Sequence, residues 1–309
     1  MIGSQTQASL NVREHRSNLP DRVLRALDEI ASDNRSGAAE ILRRAAALYS
    51  QLDSASTQQT IDSLSVELAR AQPRMSPLIR MANEVMKSSP DAAAHFVENA
   101  ARGAYSVASQ AASLIDEGAR VLTHSRSSTV LEAFVQARRA GKNFSIVVTE
   151  SRPMFEGRTL AEELVRHGVR VTVIIDAAAA LAIEDVDLVL VGADAITPVS
   201  VINKVGTRMI ALAAREKGIR MFSVCDTSKF IREDRLAPEH EHPAAELWPD
   251  APAEINVSNK YFESTPLAWF TGIVTEHGFL SIKEAAQRAA EVSIDGRLVE
   301  APGGGREIK

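Results

Sequence analysis

The chain has 309 residues, of which 45% are hydrophobic, 24% charged and 5% aromatic, and its net charge is −5. This balance is typical of a globular protein of one large domain or two ordinary ones, and no apolar run approaches the ~20 residues that cross a bilayer. Because basic residues are scattered in an acidic chain, we do not expect nucleic-acid binding. The single cysteine, Cys225, excludes an internal disulfide framework, and without a signal-peptide pattern we expect a cytoplasmic protein.

Residues up to about 115 carry a helical pattern. Apolar residues recur three and four apart from Val23 to Ile30 and again from Ile41 to Tyr49, which is the spacing of amphipathic helices. Ser89-Pro90-Asp91 favours the start of a further helix, with proline and an acid in its first turn. The pattern breaks at residues 32–37, 53–57, 73–77 and 88–91. We therefore predict an N-terminal helical domain over residues 1–115.

From Glu117 onwards, short β-rich runs alternate with helical segments. Such alternation with short connections predicts βαβ units and a mostly parallel, doubly wound sheet, which places the chain in the α/β class. The runs Val171–Ile175 (VTVII) and Leu188–Val191 (LVLV) are almost continuously apolar, as expected of strands that are buried on both faces. The predicted sheet domain covers residues 116–309.

Polar or ionisable residues follow five of the predicted strands. They are Thr123-His124-Ser125, Thr149-Glu150-Ser151-Arg152, Asp176, Gly192-Ala193-Asp194 and Cys225-Asp226-Thr227-Ser228-Lys229. Because open parallel sheets bind ligands at the carboxyl ends of their strands, we expect these residues to share one site. Any single end also fits the simpler interpretation that loops are polar.

Three serines and an arginine lead into the helix after the first strand. They are Ser125, Arg126, Ser127 and Ser128. Free backbone N–H groups at a helix start, with hydroxyls and a cation beside them, predict an anion site. The alternative is a simple helix cap by Ser127 or Ser128, and both interpretations can hold together.

Two further segments are rich in donors. Arg152 and Arg158 surround Gly157 in the loop after the second strand, and two guanidinium groups suit a phosphate. Asn203 and Lys204 precede a glycine and another helix start. These segments extend the predicted anion site.

One carboxylate, one histidine and one thiol stand at predicted strand ends. Asp194 follows an apolar strand and could act as a general base, bind a sugar hydroxyl or cap a turn. For His124 a structural donor is the favoured role, and Cys225 is expected to be a buried small hydrophobe. No GxGxxG follows the first strand, and the chain has no Walker loop and no metal-ligand cluster. We therefore expect no cofactor and no metal ion.

Residues 116–230 resemble a superfamily that unites the regulatory subunits of initiation factor 2B with two sugar-phosphate isomerases. The isomerases act on 5-methylthioribose 1-phosphate and ribose 1,5-bisphosphate. The matching segments are VLTHSRSSTVLEAF, TESRPMFEGRTLAEEL, VIIDAAAALAIEDVDLVLVGADAI, VINKVGTRMIALAA, SVCDTSKF and, nearer the end, FESTPLAWFTGIVTEHG. The resemblance implies a helical N-terminal domain, a Rossmann-like sheet domain and association through that sheet domain.

The resemblance also bears on catalysis. The isomerases share a cysteine after a Thr-His strand end and the aspartate of Gly-Ala-Asp, a pair implicated in moving hydrogen between C1 and C2 of the opened sugar. Here Asp194 is present, but Ser125 stands where the cysteine is expected. A serine hydroxyl is a far weaker acid than a thiol, whose pKa is ~8.5. Proteins of the initiation factor 2B alpha type typically carry a small residue other than cysteine there.

Two departures concern phosphate binding in the helical half. The isomerases share an Arg-Gly-Ala loop and an Ala-Arg-Pro-Thr motif, whereas this chain has Arg35-Ser36-Gly37-Ala38 and Ala71-Gln72-Pro73-Arg74. The resemblance therefore does not carry a phosphate role to Arg35 or Arg74. It does carry ligand-binding roles to residues at matching positions, which are Arg152, Arg158, Asn203, Lys204 and Lys229.

Two functions stay open from the sequence. The first is an initiation factor 2B alpha-like protein that binds a phosphorylated sugar or a nucleoside monophosphate, forms a homodimer or a larger dimer-based oligomer, and could have initiation-factor subunits as partners. The second is an aldose 1-phosphate isomerase in which Asp194 is the base and Ser125 replaces the thiol. A purely structural subunit, with no use for the cations and carboxylate of the site, is a third alternative.

Overall fold

The computed structural model describes residues 15–33, 36–52 and 56–299. The chain divides into two compact units. The first, the helical unit, consists of Met1–Ala101, Arg232–Pro238 and Val292–Lys309, and the second, the sheet unit, of Arg102–Ile231 and Glu239–Glu291. No helix within the described ranges combines the length and the apolar character that a membrane span requires.

The helical unit is built from amphipathic helices, as the apolar spacing predicts. Val23, Leu27 and Ile30, four and three residues apart, form the buried face of the first helix. Thr57 caps the third helix by accepting the Thr60 N–H. The helices are α1 (Asp21–Ser32), α2 (Ala38–Tyr49), α3 (Gln58–Ala71), α4 (Ser76–Lys87) and α5 (Ala92–Ser113).

The predicted division at residue 115 differs from the compact units. Helix α5 runs past Ala101, so the change of unit falls inside a continuous helix. A C-terminal segment also belongs to the helical unit, where the Asn83 amide donates to the Ser293 carbonyl at 3.1 Å. The segment around Ser293 therefore belongs to the helical unit, although it follows the sheet unit in the chain.

The sheet unit contains a seven-stranded sheet in the order β10-β9-β7-β4-β1-β2-β3. All neighbouring strands pair in parallel except β9 and β10. The strands are β1 (Arg120–Thr123), β2 (Ser145–Thr149), β3 (Arg170–Ile174), β4 (Leu188–Val191), β7 (Arg220–Val224), β9 (Gly272–Thr275) and β10 (Gly278–Leu280). The strand order reverses between β1 and β4, which is where ligands bind in doubly wound sheets.

Helices connect these strands, as the alternating pattern predicts. Those between strands are α6 (Ser128–Arg139), α7 (Glu156–Arg166), α8 (Ala179–Ala182), α9 (Thr207–Lys217) and α10 (Ala244–Leu247), and α11 (Ile282–Ala290) follows the last strand. The core combines strand residues such as Val121 and Leu190 with Phe134 on α6 and Leu160 on α7. The α/β class, with a helical region before a mostly parallel sheet, is confirmed.

The prediction that both apolar runs lie in a doubly covered sheet is half wrong. Every residue of β4 is buried, but β3 is the edge strand, and Thr172 and Val173 are exposed. After β3 the chain reaches β4 through α8, a helix of 4 residues flanked by short 3-10 turns. A connection so short cannot cover the strand as a full crossover helix would.

A second, antiparallel sheet of three strands was not predicted. Its strands are β5 (Ala195–Ile196), β6 (Ser200–Lys204) and β8 (Phe262–Pro266), in the order β5-β6-β8. Asn203 pairs with Glu263 and Lys204 with Phe262 across it. This sheet therefore carries two of the predicted ligand-binding residues.

Candidate functional site

The ends of β1 and β2 carry two serines with left-handed backbone. Ser125 has φ 62° and Ser151 has φ 64°, a region that non-glycine residues enter only under constraint. The Ser125 N–H donates to the Ser151 hydroxyl oxygen at 2.8 Å, and Asp176, after β3, accepts the Ser151 N–H at 2.7 Å. The ends of three adjacent strands are thus joined by hydrogen bonds.

His124 links these ends to β6. Its Nε2 lies 2.8 Å from the Val205 carbonyl oxygen, which can only accept, so Nε2 carries the proton. In the neutral ring Nδ1 must then accept from the Thr149 hydroxyl at 2.5 Å. Burial lowers the pKa of His124 below its ordinary value, which favours the neutral ring.

The hydrogen bonds of this network all donate in the same direction along the series. The Thr149 proton is committed to His124, so Ser151 is the donor to Thr149, whose hydroxyl and carbonyl oxygens lie 3.2 Å and 3.3 Å from the Ser151 hydroxyl oxygen. The sequence from Ser125 N–H through Ser151, Thr149 and His124 to the Val205 carbonyl is therefore satisfied at each step. It fixes the backbone around Ser125.

The turn from β1 into α6 lies against the end of β4. Ser127 caps α6 by accepting the Val130 N–H at 3.3 Å, so the predicted cap is present. A Cβ on Gly192 would come within 2.7 Å of the Ser127 Cβ, so glycine is required for this close approach. Asp194, two residues on, is partly buried, and its N–H donates to the Ile202 carbonyl at 2.8 Å. Ser125 and Asp194 thus flank the point where the strand order reverses.

Lys204 is the most buried of the predicted cations, with 4% of its side chain exposed. Its ammonium forms an ion pair with Glu156 at the start of α7 and lies 4.9 Å from the centre of the Tyr261 ring. The second carboxylate oxygen of Glu156 is buried and has no hydrogen-bond partner among the described residues. The pair therefore leaves one acceptor unsatisfied beside a buried cation.

Asn203 supports the turn that follows Lys204. Its amide donates to the Thr207 hydroxyl at 2.9 Å, and that hydroxyl donates to the Lys204 carbonyl at 2.7 Å. Asn203 is 6% exposed. One N–H of the Asn203 amide is therefore used by the β6–α9 turn.

Arg152 and Arg158 both contact Phe155, whose backbone is also left-handed. Their guanidinium carbons lie 4.8 Å and 4.0 Å from the ring centre. Arg152 donates to the Leu247 carbonyl at 2.8 Å, and Arg158 pairs with Glu150 at 2.6 Å while half exposed. The two arginines share one loop, but each already has a partner within the chain.

The other predicted donors are less closely grouped. Arg126 turns to α7, where its guanidinium donates to both carboxylate oxygens of Glu163 at 2.8 Å, and this hydrogen bonding raises its pKa. Ser128 is exposed at the first position of α6. Lys229, in the turn after β7, makes no ion pair with any residue that the structure describes.

Two arginines and the cysteine complete the predicted set. Arg74, in the helical unit, donates to the Ala237 carbonyl at 2.9 Å, and Arg35 lies outside the described residues. Cys225 is buried, and burial raises the pKa of its thiol far above the ordinary range. The prediction of a buried cysteine is confirmed.

Sequence reasoning missed Glu156 and the hydroxyl network. Glu156 lies inside the segment TESRPMFEGR, next to the glycine that was singled out, but its partner Lys204 is far away in the chain. Thr149 and Ser151 were noted as strand-end polar residues without a role. Within the described ranges no three His, Cys, Asp or Glu side chains come close enough to hold a metal ion.

These features define a doubly wound α/β protein with polar residues gathered where its strand order reverses. Residues 22–282 match the model of the Initiation factor 2 subunit family, and the chain belongs to that family.

Relatives carry two different names. A translation initiation factor eIF-2B subunit 2-like protein of Pyrococcus furiosus is 32% identical over 275 residues, covering 85% of this chain and 97% of the relative. A ribose 1,5-bisphosphate isomerase of Archaeoglobus fulgidus is 30% identical over 282 residues, covering 84% of this chain and 89% of the relative. The family is therefore established, and relatives of nearly equal identity carry both names.

A solved structure has the same fold. The translation initiation factor eIF-2B of Pyrococcus horikoshii OT3 superposes with a TM-score of 0.77 at 30% identity, covering 85% of this chain and 98% of that one. The predicted resemblance to the initiation factor 2B family is confirmed.

Proposed function

We propose that the protein binds a phosphorylated sugar or a nucleoside monophosphate at the carboxyl ends of β1, β2, β4 and β6. The observation that carries this proposal is the buried ammonium of Lys204, compensated by a carboxylate with an unsatisfied oxygen. Burial of a charge is costly even when it is paired, so an anionic ligand that completes the bonding of this pair would be stabilised here. An anionic ligand with hydroxyl groups would pair with the ammonium and satisfy the oxygen together.

The proposal assigns a role to each residue of the site. Phosphate would be held by the serines of the β1–α6 turn with Arg126, by Arg152 and Arg158, and by Lys204 and Lys229. Asp194 and Asn203 would bind ribose hydroxyls. The arginines would exchange their present acceptors, such as Glu150, for phosphate oxygens, which bind guanidinium groups well.

The role that fits these assignments is that of an initiation factor 2B alpha-like protein. It would work in the cytoplasm as a homodimer or a larger dimer-based oligomer, in the company of other initiation-factor subunits. The hydroxyl of Ser125 supports a binding role over a catalytic one, because it cannot replace a thiol in proton transfer at neutral pH.

The alternative is an aldose–ketose isomerase of sugar phosphates. The isomerase relative from Archaeoglobus fulgidus supports it, as does Asp194 beside the switch point, where a general base could act. In this alternative Asp194 removes the proton and Ser125 is the weak acid that replaces the thiol.

Binding is tested by calorimetry and thermal shift with ribose 1-phosphate, ribose 1,5-bisphosphate, 5-methylthioribose 1-phosphate and AMP. Unphosphorylated ribose is the matched control ligand. We expect at least one phosphate ester to bind and to raise the melting temperature, whereas ribose does neither. If no phosphate ester stabilises the protein, the binding proposal is wrong.

Turnover separates the two functions. Each ligand that binds is incubated with the protein and followed by phosphorus NMR, with Asp194→Asn as the comparison. The binding role predicts unchanged ligand in both samples. Conversion to the ketose by the wild type, abolished in Asp194→Asn, would establish the isomerase instead.

A further inference from the structure

Asp176, which follows β3, has no role in the proposed ligand site, yet both of its carboxylate oxygens bind the backbone of that site. One oxygen accepts the Ser151 N–H at 2.7 Å, and the other accepts the Arg152 N–H at 2.8 Å. Ser151 has left-handed backbone, with φ 64°, and successive N–H groups around such a residue form a concave site for an anion. Here that anion is a side chain of the protein itself.

Ser151 joins the two turns that the proposed ligand site uses. Its hydroxyl oxygen accepts the Ser125 N–H at 2.8 Å, and its carbonyl accepts the Phe155 N–H at 2.9 Å. The first bond reaches the turn between β1 and α6, and the second closes the loop that carries Arg152 and Arg158. Because Ser151 is fully buried, a shift of its backbone would move both turns.

The backbone of these two turns needs support from outside. Ser125, Ser151 and Phe155 all have φ between 59° and 64°, a region that non-glycine residues enter only under constraint. Hydrogen bonds from N–H groups to a carboxylate are about twice as strong as those between neutral groups. Asp176 accepts two such bonds in the middle of this series, at Ser151 and Arg152. It therefore supplies a large part of the constraint.

The arginine side chains of the loop have partners other than Asp176. The Arg152 guanidinium donates to the Leu247 carbonyl at 2.8 Å, and Arg158 pairs with Glu150 at 2.6 Å. Both oxygens of Asp176 are used by backbone N–H groups, and its negative charge would repel a phosphate. Asp176 is therefore suited to hold the turns and not to contact the anion.

We propose that Asp176 is a positioning residue of the ligand site, which holds the Ser125 turn and the Arg152 loop in the geometry that binds phosphate. This inference rests on the proposed function and names a further residue on which its site depends. Asp176 acts through the backbone of Ser151 and Arg152 and does not touch the ligand. The end of β3 is thereby part of the site, although it carries no ligand-binding side chain.

Charge and position make opposite predictions for Asp176→Asn. Removal of a negative charge near the site should by itself tighten the binding of an anion. An asparagine, however, has one acceptor oxygen where the two N–H groups use two, and its amide group would face a backbone N–H, so that two donors would meet. The turns would then lose their order, and binding would weaken.

The test is isothermal titration calorimetry of the full chain with ribose 1,5-bisphosphate and inorganic phosphate as probes. Asp187→Asn is the matched control, because the Asp187 carboxylate also accepts a backbone N–H, that of Arg120 at 2.8 Å, at the opposite end of β1. Urea unfolding verifies that each variant is folded under the conditions of the titration. Amide hydrogen exchange, followed by mass spectrometry on peptides that cover residues 123–129 and 150–156, measures the order of the two turns.

A second variant tests the same connection without a change of charge. Ser151→Ala removes the hydroxyl oxygen that accepts the Ser125 N–H. We expect it to weaken binding of the probes and to speed exchange in the peptide 123–129. If Asp176→Asn does not fold, Ser151→Ala decides, and binding equal to that of the wild type would overturn the proposal.

We expect Asp176→Asn to bind each probe that the wild type binds about 10- to 100-fold more weakly, the range known for groups that orient the ligating residues of metal sites. Exchange should be faster in both peptides, and Asp187→Asn should bind as the wild type does. Equal or tighter binding by folded Asp176→Asn would overturn the positioning role and leave the ligand site in place. Weaker binding with unchanged exchange would show direct contact with the ligand, which also overturns it. A wild type that binds neither probe would overturn the proposed function as well.

Discussion

His124 is held in the middle of the site by two hydrogen bonds that fix its tautomer and its neutral charge. Thr149 donates to one ring nitrogen and the Val205 carbonyl accepts from the other. Gly206, with φ 110°, lies so close that a Cβ there would come within 2.9 Å of the imidazole. A protonated ring would reverse the Thr149 bond, because Nδ1 would then donate and the Thr149 proton would need another acceptor.

The neutral state of His124 predicts a loss of stability in mild acid. In the unfolded chain the imidazole binds a proton near pH 6.5, whereas burial lowers its pKa in the folded chain. Between the two pKa values the unfolded state holds more protons, so the free energy of unfolding falls as the pH drops below about 6.5. The slope from this group reaches at most about 1.4 kcal/mol per pH unit, measured by urea unfolding from pH 8 to 5.

Two variants isolate this effect. His124→Gln should flatten the acid slope, although it also lowers the stability at pH 8 by disturbing a buried network. His167→Gln, at an exposed histidine, should keep the wild-type slope. An unchanged slope in His124→Gln would show that other groups cause the acid sensitivity.

Glu156 competes with any anion for Lys204. In Glu156→Gln the ammonium stays buried without its counter-charge, so we expect the ligand-free protein to lose about 3 kcal/mol of stability. The same change should tighten binding of inorganic phosphate about tenfold, because this anion brings no sugar hydroxyl for the Glu156 oxygen and then pairs with Lys204 unopposed. Differential scanning calorimetry and isothermal titration measure the two effects.

Glu162→Gln is the matched control on the same helix. Glu162 pairs with Arg166 at 3.6 Å on the surface, with both side chains about 70% exposed, so its removal should change neither quantity appreciably. Weaker phosphate binding in Glu156→Gln would mean that the carboxylate assists the ligand and does not compete with it.

For single residues, the sequence indicated structural roles that depend on local context and gave no indication of long-range contacts. The cap by Ser127, the buried Cys225 and a structural His124 all follow from local context, because each depends on neighbours in the chain. The Lys204–Glu156 pair and the order of donors from Ser125 to Val205 depend on distant segments meeting. Periodicity and spacing contain no information on such contacts.

At the scale of elements, the contact between α7 and β2 depends on a glycine. A Cβ at Gly157 would lie 1.7 Å from the Thr149 carbonyl oxygen, a backbone atom that cannot move aside. Gly157→Ala should therefore displace the start of α7 and cost about 3 kcal/mol. Because Glu156 and Arg158 flank it, phosphate-ester binding should weaken as well. Urea unfolding and calorimetry measure both.

Gly296→Ala provides the comparison for Gly157→Ala. A Cβ at Gly296 would meet no atom within 4 Å, so we expect a change in stability within about 0.5 kcal/mol. Equal losses in the two variants would contradict the steric explanation for Gly157.

Elements were predicted best where the local pattern and the environment agree. The helices α1 and α2 and the strand β4 lie where the apolar spacing places them, because their buried faces match that spacing. β3 has the same apolar composition but lies at the sheet edge, and composition cannot tell an edge from a centre. The small sheet β5-β6-β8 was not predicted, because β6 and β8 are distant in sequence and their pairing is non-local.

At the scale of the whole molecule, a dimer makes stability depend on protein concentration. If two copies unfold to separate chains, mass action favours the folded dimer at high concentration. We expect the wild-type melting temperature to rise by about 1–2 °C for each tenfold increase in concentration. Calorimetric scans from about 5 to 500 µM, roughly the range over which such dimers form, measure this rise. A melting temperature that stays constant over this range would contradict the proposed homodimer.

The division of the chain into a helical unit and a sheet unit could be predicted only in part. A helical first part and a sheet-forming second part are visible in the change of apolar spacing near Glu117. The return of residues after Val292 to the helical unit is not, since it depends on contacts such as Asn83 with Ser293. Such contacts form between segments at opposite ends of the chain.

The burial of Cys225 has a practical consequence for spectroscopy. It is the chain's one cysteine, and its enclosed, protonated thiol should react slowly with maleimides. A cysteine introduced at an exposed position would therefore take up a fluorophore or spin label selectively without removal of the native residue. If the proposed homodimer forms, pairs of labelled protomers would report distances across it by energy transfer.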